Sequence, residues 1–169
     1  MKWVAISGSW KKVNKVIKEK VNQTVREIIS RGDGILVGGA LGVDFIATNE
    51  VLKLDSNAKK IKIFLPATIE IFSAHLRKRA KEGVITEKQA EDLILQLNKI
   101  KKINSSAIFE NKKNKVINEK VYHDRNSEII KSADEVIAFW VNKTPGTKDA
   151  IDKAHKKGIS VKVFSYTVE

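Results

Sequence analysis

The chain has 169 residues, 42% of them hydrophobic, enough for one substantial core and short for two. Its 32 lysines and arginines against 20 acidic residues give a net charge of +12, which favours nucleic acid, nucleotides or other polyanions as partners, although an AT-rich genome produces the same lysine, isoleucine and asparagine excess without selection for a ligand. The absence of cysteine excludes disulfides, thiolate metal sites and cysteine nucleophiles. No run approaches the roughly 18 apolar residues of a membrane span, and the N-terminus carries no long apolar segment, so a soluble protein of the cytoplasm is expected.

The predicted elements alternate along the chain. "WVAIS" (Trp3 to Ser7) is a β-rich run, after which Val13, Val16, Ile17, Val21, Val25, Ile28 and Ile29 fall on one helical face. "GILVGG" reads as a buried strand, followed by a helical stripe of Val43, Ile46, Ala47, Val51 and Leu54. "KIKIFLP" (Lys60 to Pro66) is a third strand, ended by its proline. Two helices are expected over 69–79 and 86–102, the second opened by a Thr86 to Gln89 capping box. Residues 105–120 have weak periodicity and read as a loop. "DEVIAFW" (Asp134 to Trp140) and "ISVKVF" (Ile159 to Phe164) are two more strands, separated by a helix from about Thr147 to Lys157. This pattern predicts an α/β fold with a mainly parallel sheet of about five strands covered on both faces. Residues 67–120 form a basic helical insertion after the third strand, within a single domain spanning 1–169. Between residues 73 and 120 there are twelve basic and six acidic residues, about half of the net charge.

In such a sheet ligands bind beyond the carboxyl ends of the strands, where loops meet helix N-termini. Gly38, Gly39 and Gly42 of "LVGGALG" sit there, and their bare amides, with the start of the helix near Val43, suit a phosphate as well as they suit a tight turn. The dinucleotide pattern G-x-G-x-x-G fails because Val37 occupies its first glycine, and the Gly-Lys-Ser/Thr of a P-loop is missing; no cofactor is expected. Gly8, Ser9 and Trp10 follow the first strand at the same edge. Arg125 and Asn126 are placed at a helix start, and Thr144, Gly146 and Thr147 follow the fourth apolar strand, with Thr147 as a helix cap. His75, His123 and His155 show no metal-ligand spacing, so no metal is expected.

Taken together, "SGSW", "GGALGVDFIATNEVL", "RNSEIIKSADEVIAF" and "TPGTKDAIDKAHKKGISVKVF" resemble segments of the SLOG superfamily, Rossmann-like proteins that include DprA, the YpsA-like proteins and the Lonely Guy (LOG) phosphoribohydrolases. The similarity runs almost end to end and is weakest over 67–120. Its glycine and Arg-Asn motifs look most like DprA, and its inserted helices look YpsA-like. The resemblance implies a Rossmann-like, doubly wound sheet whose loop edge binds a nucleotide or a nucleic-acid phosphate, with Gly8, Ser9, Gly38, Gly39, Gly42, Arg125, Asn126, Gly146 and Thr147 as ligand contacts, and it suggests a homodimer. Asp44 would hydrogen-bond within its loop or help cap the helix.

LOG-type phosphoribohydrolases carry Pro-Gly-Gly-x-Gly-Thr-x-x-Glu, and here the glutamate position is Ala150. The adjacent carboxylate, Asp149, points about 100° away around a helix. The expectation is therefore a nucleotide- or phosphate-ligand-binding protein that lacks LOG-type glycosidase chemistry. One alternative is DprA-like single-stranded DNA binding through Arg77, Lys78, Arg79, Lys101, Lys102, Lys112 and Lys113, a set that also reads as solvated surface. Another is a nucleoside-monophosphate hydrolase using Asp149.

Overall fold

The computed structural model describes all residues, Met1–Glu169. The chain runs β1 (Trp3–Gly8), α1 (Lys15–Ser30), β2 (Gly34–Val37), α2 (Val43–Leu54), β3 (Ile61–Phe64), α3 (Ile69–Lys81), α4 (Glu87–Ile103), β4 (Ile108–Phe109), α5 (Glu119–Ser132), β5 (Glu135–Val141), α6 (Pro145–Lys157) and β6 (Ser160–Tyr166), with a 3₁₀ turn at Ser105–Ala107. The strands form one sheet in the order β4-β3-β2-β1-β5-β6, and every neighbouring pair is parallel.

That order explains where the helices lie. The chain winds outward from β1 through β2, β3 and β4, then returns across the sheet to β5 and β6. Crossovers between parallel strands are right-handed, so reversing the winding direction places the later helices on the opposite face. Residues of α1, α2 and α4 (Ile17, Val21, Ala47, Val51, Leu93 and Leu97) share one core cluster, while Ile129 and Ile130 of α5 join Ala150 and Ala154 of α6 in a second. α4 is part of the main core, and Gln96 ties it to α2 by donating to the Phe45 carbonyl (3.2 Å) and to Asn49 Oδ1 (2.8 Å).

Several expectations need correction. The sheet has six strands, because Ile108 and Phe109 pair with Ile63 and Phe64 as a two-residue edge strand too short to leave a periodic signal. Phe109 stacks on Phe64 with ring centroids 4.7 Å apart, a contact that helps hold this short strand. α5 begins at Glu119, capped by Asn118, so part of the expected loop is helix. α6 begins at Pro145 with Thr144 as its cap residue, and Thr147 lies inside the first turn. Val16 and Leu54 are exposed, since the buried stripe of α1 runs through Ile17, Val21, Thr24, Val25 and Ile28, and Leu54 ends its helix. The capping box of α4 has both reciprocal bonds, Gln89 N–H to Thr86 Oγ1 (3.0 Å) and Thr86 N–H to Gln89 Oε1 (2.8 Å). No helix is long and apolar enough to cross a membrane.

Phe139 is fully buried in the main core and stacks on Phe164 with ring centroids 5.4 Å apart. Phe139→Ala is expected to cost about 3–5 kcal/mol by urea unfolding. Leu95→Ala, at a position 69% exposed, should change stability by less than about 0.5 kcal/mol. Equal costs for the two would contradict this packing.

Candidate phosphate-binding site

The winding reverses between β1 and β5, so the loops leaving their carboxyl ends part and open a rim, the usual ligand position in open α/β sheets. Four segments reach it: the loop after β1, the glycine loop after β2, the middle of α5 and the start of α6.

The first two loops pack backbone to backbone. Gly42, at φ +72°, has its α-hydrogens against the Ser9 carbonyl and the Trp10 Cα, and a Cβ built there would stand 2.8 Å from that Cα. Val43 N–H donates to the Ser9 carbonyl (3.0 Å), and Ser9 Oγ accepts from the Lys11 and Lys12 amides (3.2 and 3.0 Å). The Ser9 hydroxyl is thus engaged in shaping its own turn. Within the glycine loop, Asp44 Oδ2 accepts from the amides of Gly38 (3.0 Å) and Ala40 (3.3 Å). Gly38 therefore offers no free N–H to a ligand, a correction to its expected role. The amides of Ser9, Trp10, Gly39, Leu41 and Gly42 make no hydrogen bond within the chain.

Arg125 lies in the middle of α5, not at its start, and reaches across to donate to the Gly38 carbonyl. A Cβ on Gly38 would meet its guanidinium carbon at 2.6 Å, so the glycine is what lets the arginine in. Its guanidinium carbon sits 5.3 Å from the centre of the Tyr122 ring, one helical turn earlier, and its Nε is enclosed without a partner. Burial lowers the Arg125 pKa below the usual arginine value, against the opposing charges of Asp44 and Tyr122. Tyr122 was legible only if residues 119–125 were read as helix; Asn118 followed by Val121 and Arg125 is the spacing that carried that signal.

Asn126 faces α6 instead, donating to Asp149 Oδ2 (3.1 Å) and approaching the Gly146 carbonyl (3.5 Å). Asp149 also accepts from Lys153 Nζ (2.8 Å), and His123 Nδ1 stands 3.4 Å from its other oxygen. Burial pushes the Asp149 pKa up, but the bonds from Lys153 and Asn126 and the charges of Lys153 and His123 prevail and hold it below the usual carboxylate value. The Asp149–Lys153 pair has i, i+4 helical spacing and was readable as a pair; its link to Asn126 and His123 on α5 was not.

The helix starts differ in a telling way. Side chains cap α1 (Asn14), α3 (Thr68), α4 (Thr86) and α5 (Asn118). α2 and α6, whose cap residues are Gly42 and Thr144, have no side-chain cap bond. α2 starts from the glycine loop and α6 from the loop after β5, both at the carboxyl edge of the sheet. Thr144 Oγ1 instead lies 3.4 Å from Thr147 Oγ1, and Thr147 is buried. The turn before α6 is fixed by Trp140 Nε1 donating to the Thr144 carbonyl (3.0 Å) and by Asn142 and Lys143 at φ 52° and 51°.

The expected nucleic-acid residues do not act as one set. Arg77 is engaged with Glu91 through two bonds (2.9 and 3.3 Å), Lys101 with Glu110 (2.8 Å) and Arg79 with Glu82 (3.6 Å), whereas Lys78, Lys102, Lys112 and Lys113 are exposed and form no ion pair. Lys112 and Lys113 follow the carboxyl end of β4 and so share the rim's edge of the sheet, with Asn114 donating to the Pro66 carbonyl (2.8 Å) beside them. Two surface grooves elsewhere are formed between α1 and β6, one lined by Lys20, Phe164 and Lys162 and one by Val16 and Tyr166.

Burial raises the Asp44 carboxyl to about 6, against the Arg125 charge and the Ala40 and Gly38 amides. Because that value lies above the unfolded one, the folded chain binds the extra proton between them. This stabilising contribution is full below about pH 4 and is lost as pH rises through about 6, by up to about 3 kcal/mol. The stability difference between Asp44→Asn and the natural chain should therefore shift towards the variant by that amount between pH 4 and pH 7. Urea unfolding at both pH values checks it, and a constant difference would refute the assigned titration.

A scan of protein-family models and a search of curated proteins give no match. Solved structures do share the architecture. DNA processing protein A from Helicobacter pylori, studied for its single-stranded DNA binding mode, aligns with a TM-score of 0.72 at 22% identity over 96% of this chain and 64% of that one. DNA processing protein A (DprA) from Streptococcus pneumoniae aligns at 0.65 and 15% identity, over 96% and 50%, and TM1055 at 0.57 and 16%, over 95% and 72%. The chain spans less than two thirds of either DNA processing protein. The Rossmann-like α/β fold is what these likenesses establish.

Proposed function

We propose that the rim binds a phosphate-bearing ligand, a nucleotide in the first instance. The observation that carries this reading is a pair of uncapped helices: α2 and α6, the two without a side-chain cap bond, both start at the carboxyl edge of the sheet, α2 from the glycine loop itself and α6 after β5. An anion placed there would receive N–H groups and the positive end of two helix dipoles. Unpartnered amides at Ser9, Trp10, Gly39, Leu41 and Gly42 add donors, and Arg125 stands beside them.

A single-stranded DNA backbone is the second reading. It is favoured by the likeness to a structure studied for single-stranded DNA binding and by the exposed, unpaired Lys112 and Lys113 on the same edge. Both ligands would present phosphate to the same groups and differ in how far they extend along the edge.

Gly146 gives a clean test of the first reading, because a Cβ there meets nothing within 4 Å and its φ is ordinary. Gly146→Val should leave stability within about 0.5 kcal/mol while placing a side chain in front of the α6 amides. A nucleotide at about 100 times its Kd should stabilise the natural chain by about 2.7 kcal/mol, a Tm rise of about 5–11 °C, and should fail to do so in the variant. If no mono-, di- or cyclic nucleotide moves the natural chain's Tm, the reading is wrong.

For single-stranded DNA, affinity should fall with salt, with a slope of about −0.7 for each phosphate neutralised. Replacing Lys112 and Lys113 together by alanine should flatten that slope by about 1.4. Arg77→Ala should leave it unchanged, because Arg77 is already paired with Glu91. A slope indifferent to the two lysines would exclude them from the track.

A further inference from the structure

Trp10 has a fixed backbone and an unused ring. Its loop is packed on the glycine loop: Ser9 Oγ accepts from the Lys11 and Lys12 amides, the Ser9 carbonyl accepts from Val43 N–H, and Gly42 packs on the Trp10 Cα. The residue is 43% exposed, and its indole stacks on no other aromatic ring, has no cation over its face and donates its Nε1–H to no group of the chain.

The other two tryptophans differ. Trp3 is half-buried with Lys62 Nζ 4.2 Å from its ring centre, and Trp140 Nε1 binds the Thr144 carbonyl. The fold uses both of those rings and leaves the third free. A single exposed apolar residue is ordinary in itself. What sets Trp10 apart is its place: its Cα packs on Gly42, and its own amide and those of Ser9 and Gly42 have no partner within the chain.

We infer that Trp10 is the platform on which a nucleobase stacks, so that the rim takes a base carried on a phosphate in preference to inorganic phosphate or a sugar phosphate. This rests on the reading of the rim as a phosphate site and narrows its ligand class. Every base offers a π face to an indole, so the platform selects for the presence of a base and discriminates weakly among bases. The same chemistry serves a free nucleotide or one nucleotide of a single strand.

The test compares the natural chain, Trp10→Ala and Trp10→Phe by calorimetric titration. One arm uses nucleoside 5′-monophosphates against ribose 5-phosphate, and the other uses a short oligothymidylate against an abasic phosphodiester oligomer of equal length. Loss of stacking should weaken the base-bearing member of a pair by about 5-fold to about 100-fold in Trp10→Ala, down to the level of its base-free partner. The base-free partner should bind unchanged, and Trp10→Phe should retain most of the affinity. The arm that responds identifies the source, a free nucleotide or a strand.

Equal weakening of base-bearing and base-free ligands would overturn the inference, since Trp10 would then only shape its loop. So would unchanged nucleotide binding in Trp10→Ala, which leaves the phosphate reading standing. Failure of every phosphate ligand to bind the natural chain removes that reading, and the stacking platform with it.

Discussion

The geometry of the rim depends on one backbone contact, Gly42 against Ser9 and Trp10. Adjacent parallel strands lie about 5 Å apart, so the loops leaving β1 and β2 must either diverge or pack closely. Here they pack, because position 42 has no Cβ and can hold φ +72°, and because Val43 N–H finds the Ser9 carbonyl. Gly8 continues the fit, since a Cβ there would stand 2.6 Å from Val43 Cγ2. Two crossovers that are remote along the chain thus become one rigid ledge. In this packed ledge the Ser9 carbonyl and hydroxyl are committed to shape, while the amides of Ser9, Trp10, Gly39, Leu41 and Gly42 have no partner within the chain.

The charge of the chain is distributed in a way that composition could not reveal. A net charge of +12 suggests a basic site, and the charged side chains at the rim divide: Lys11 and Lys12, in the loop after β1, are exposed and form no ion pair, whereas others are compensated. Arg125 faces the field of Asp44, and Lys153 is bonded to Asp149. In the α3–α4 hairpin, Arg77, Arg79 and Lys101 have acidic partners. In the proposed site the directed partial charge of amides and helix ends would supply a short-range, geometry-dependent attraction for an anion. The unpaired lysines on the same edge add a longer-range term that salt would screen.

The strand and helix alternation was legible because most elements are long enough to show a period and begin with readable caps; Thr86 and Gln89 form the reciprocal bonds their spacing predicts. β4 was hidden because a two-residue strand has no period, and its position is set by Ile63, Phe64 and the stacked rings, all distant in sequence. The start of α5 was hidden by its polar first turn, although Asn118 is a good cap residue. At the site, the glycines could be placed at the right edge of the sheet, but the state of their amides could not. Whether Asp44 turns back to Gly38 and Ala40 or points to solvent is a question of loop conformation that residue spacing leaves open.

Ala150 stands where the LOG resemblance would require a glutamate. Ala150 is 4% exposed and packs in the apolar cluster with Ile129, Ala133, Val136 and Ala154. A carboxylate at that point would have to be buried among methyl groups or would push α6 outward, and either is costly without compensating hydrogen bonds. The neighbouring Asp149 cannot substitute freely, since Lys153 and Asn126 share one of its oxygens and His123 stands beside the other. The carboxylates that α2 and α6 bring to this edge, Asp44 and Asp149, are both engaged within the chain, Asp44 with the Gly38 and Ala40 amides and Asp149 with Lys153 and Asn126. In the proposed nucleotide site a sugar would therefore meet no carboxylate free of a partner, the group that glycosidic cleavage needs.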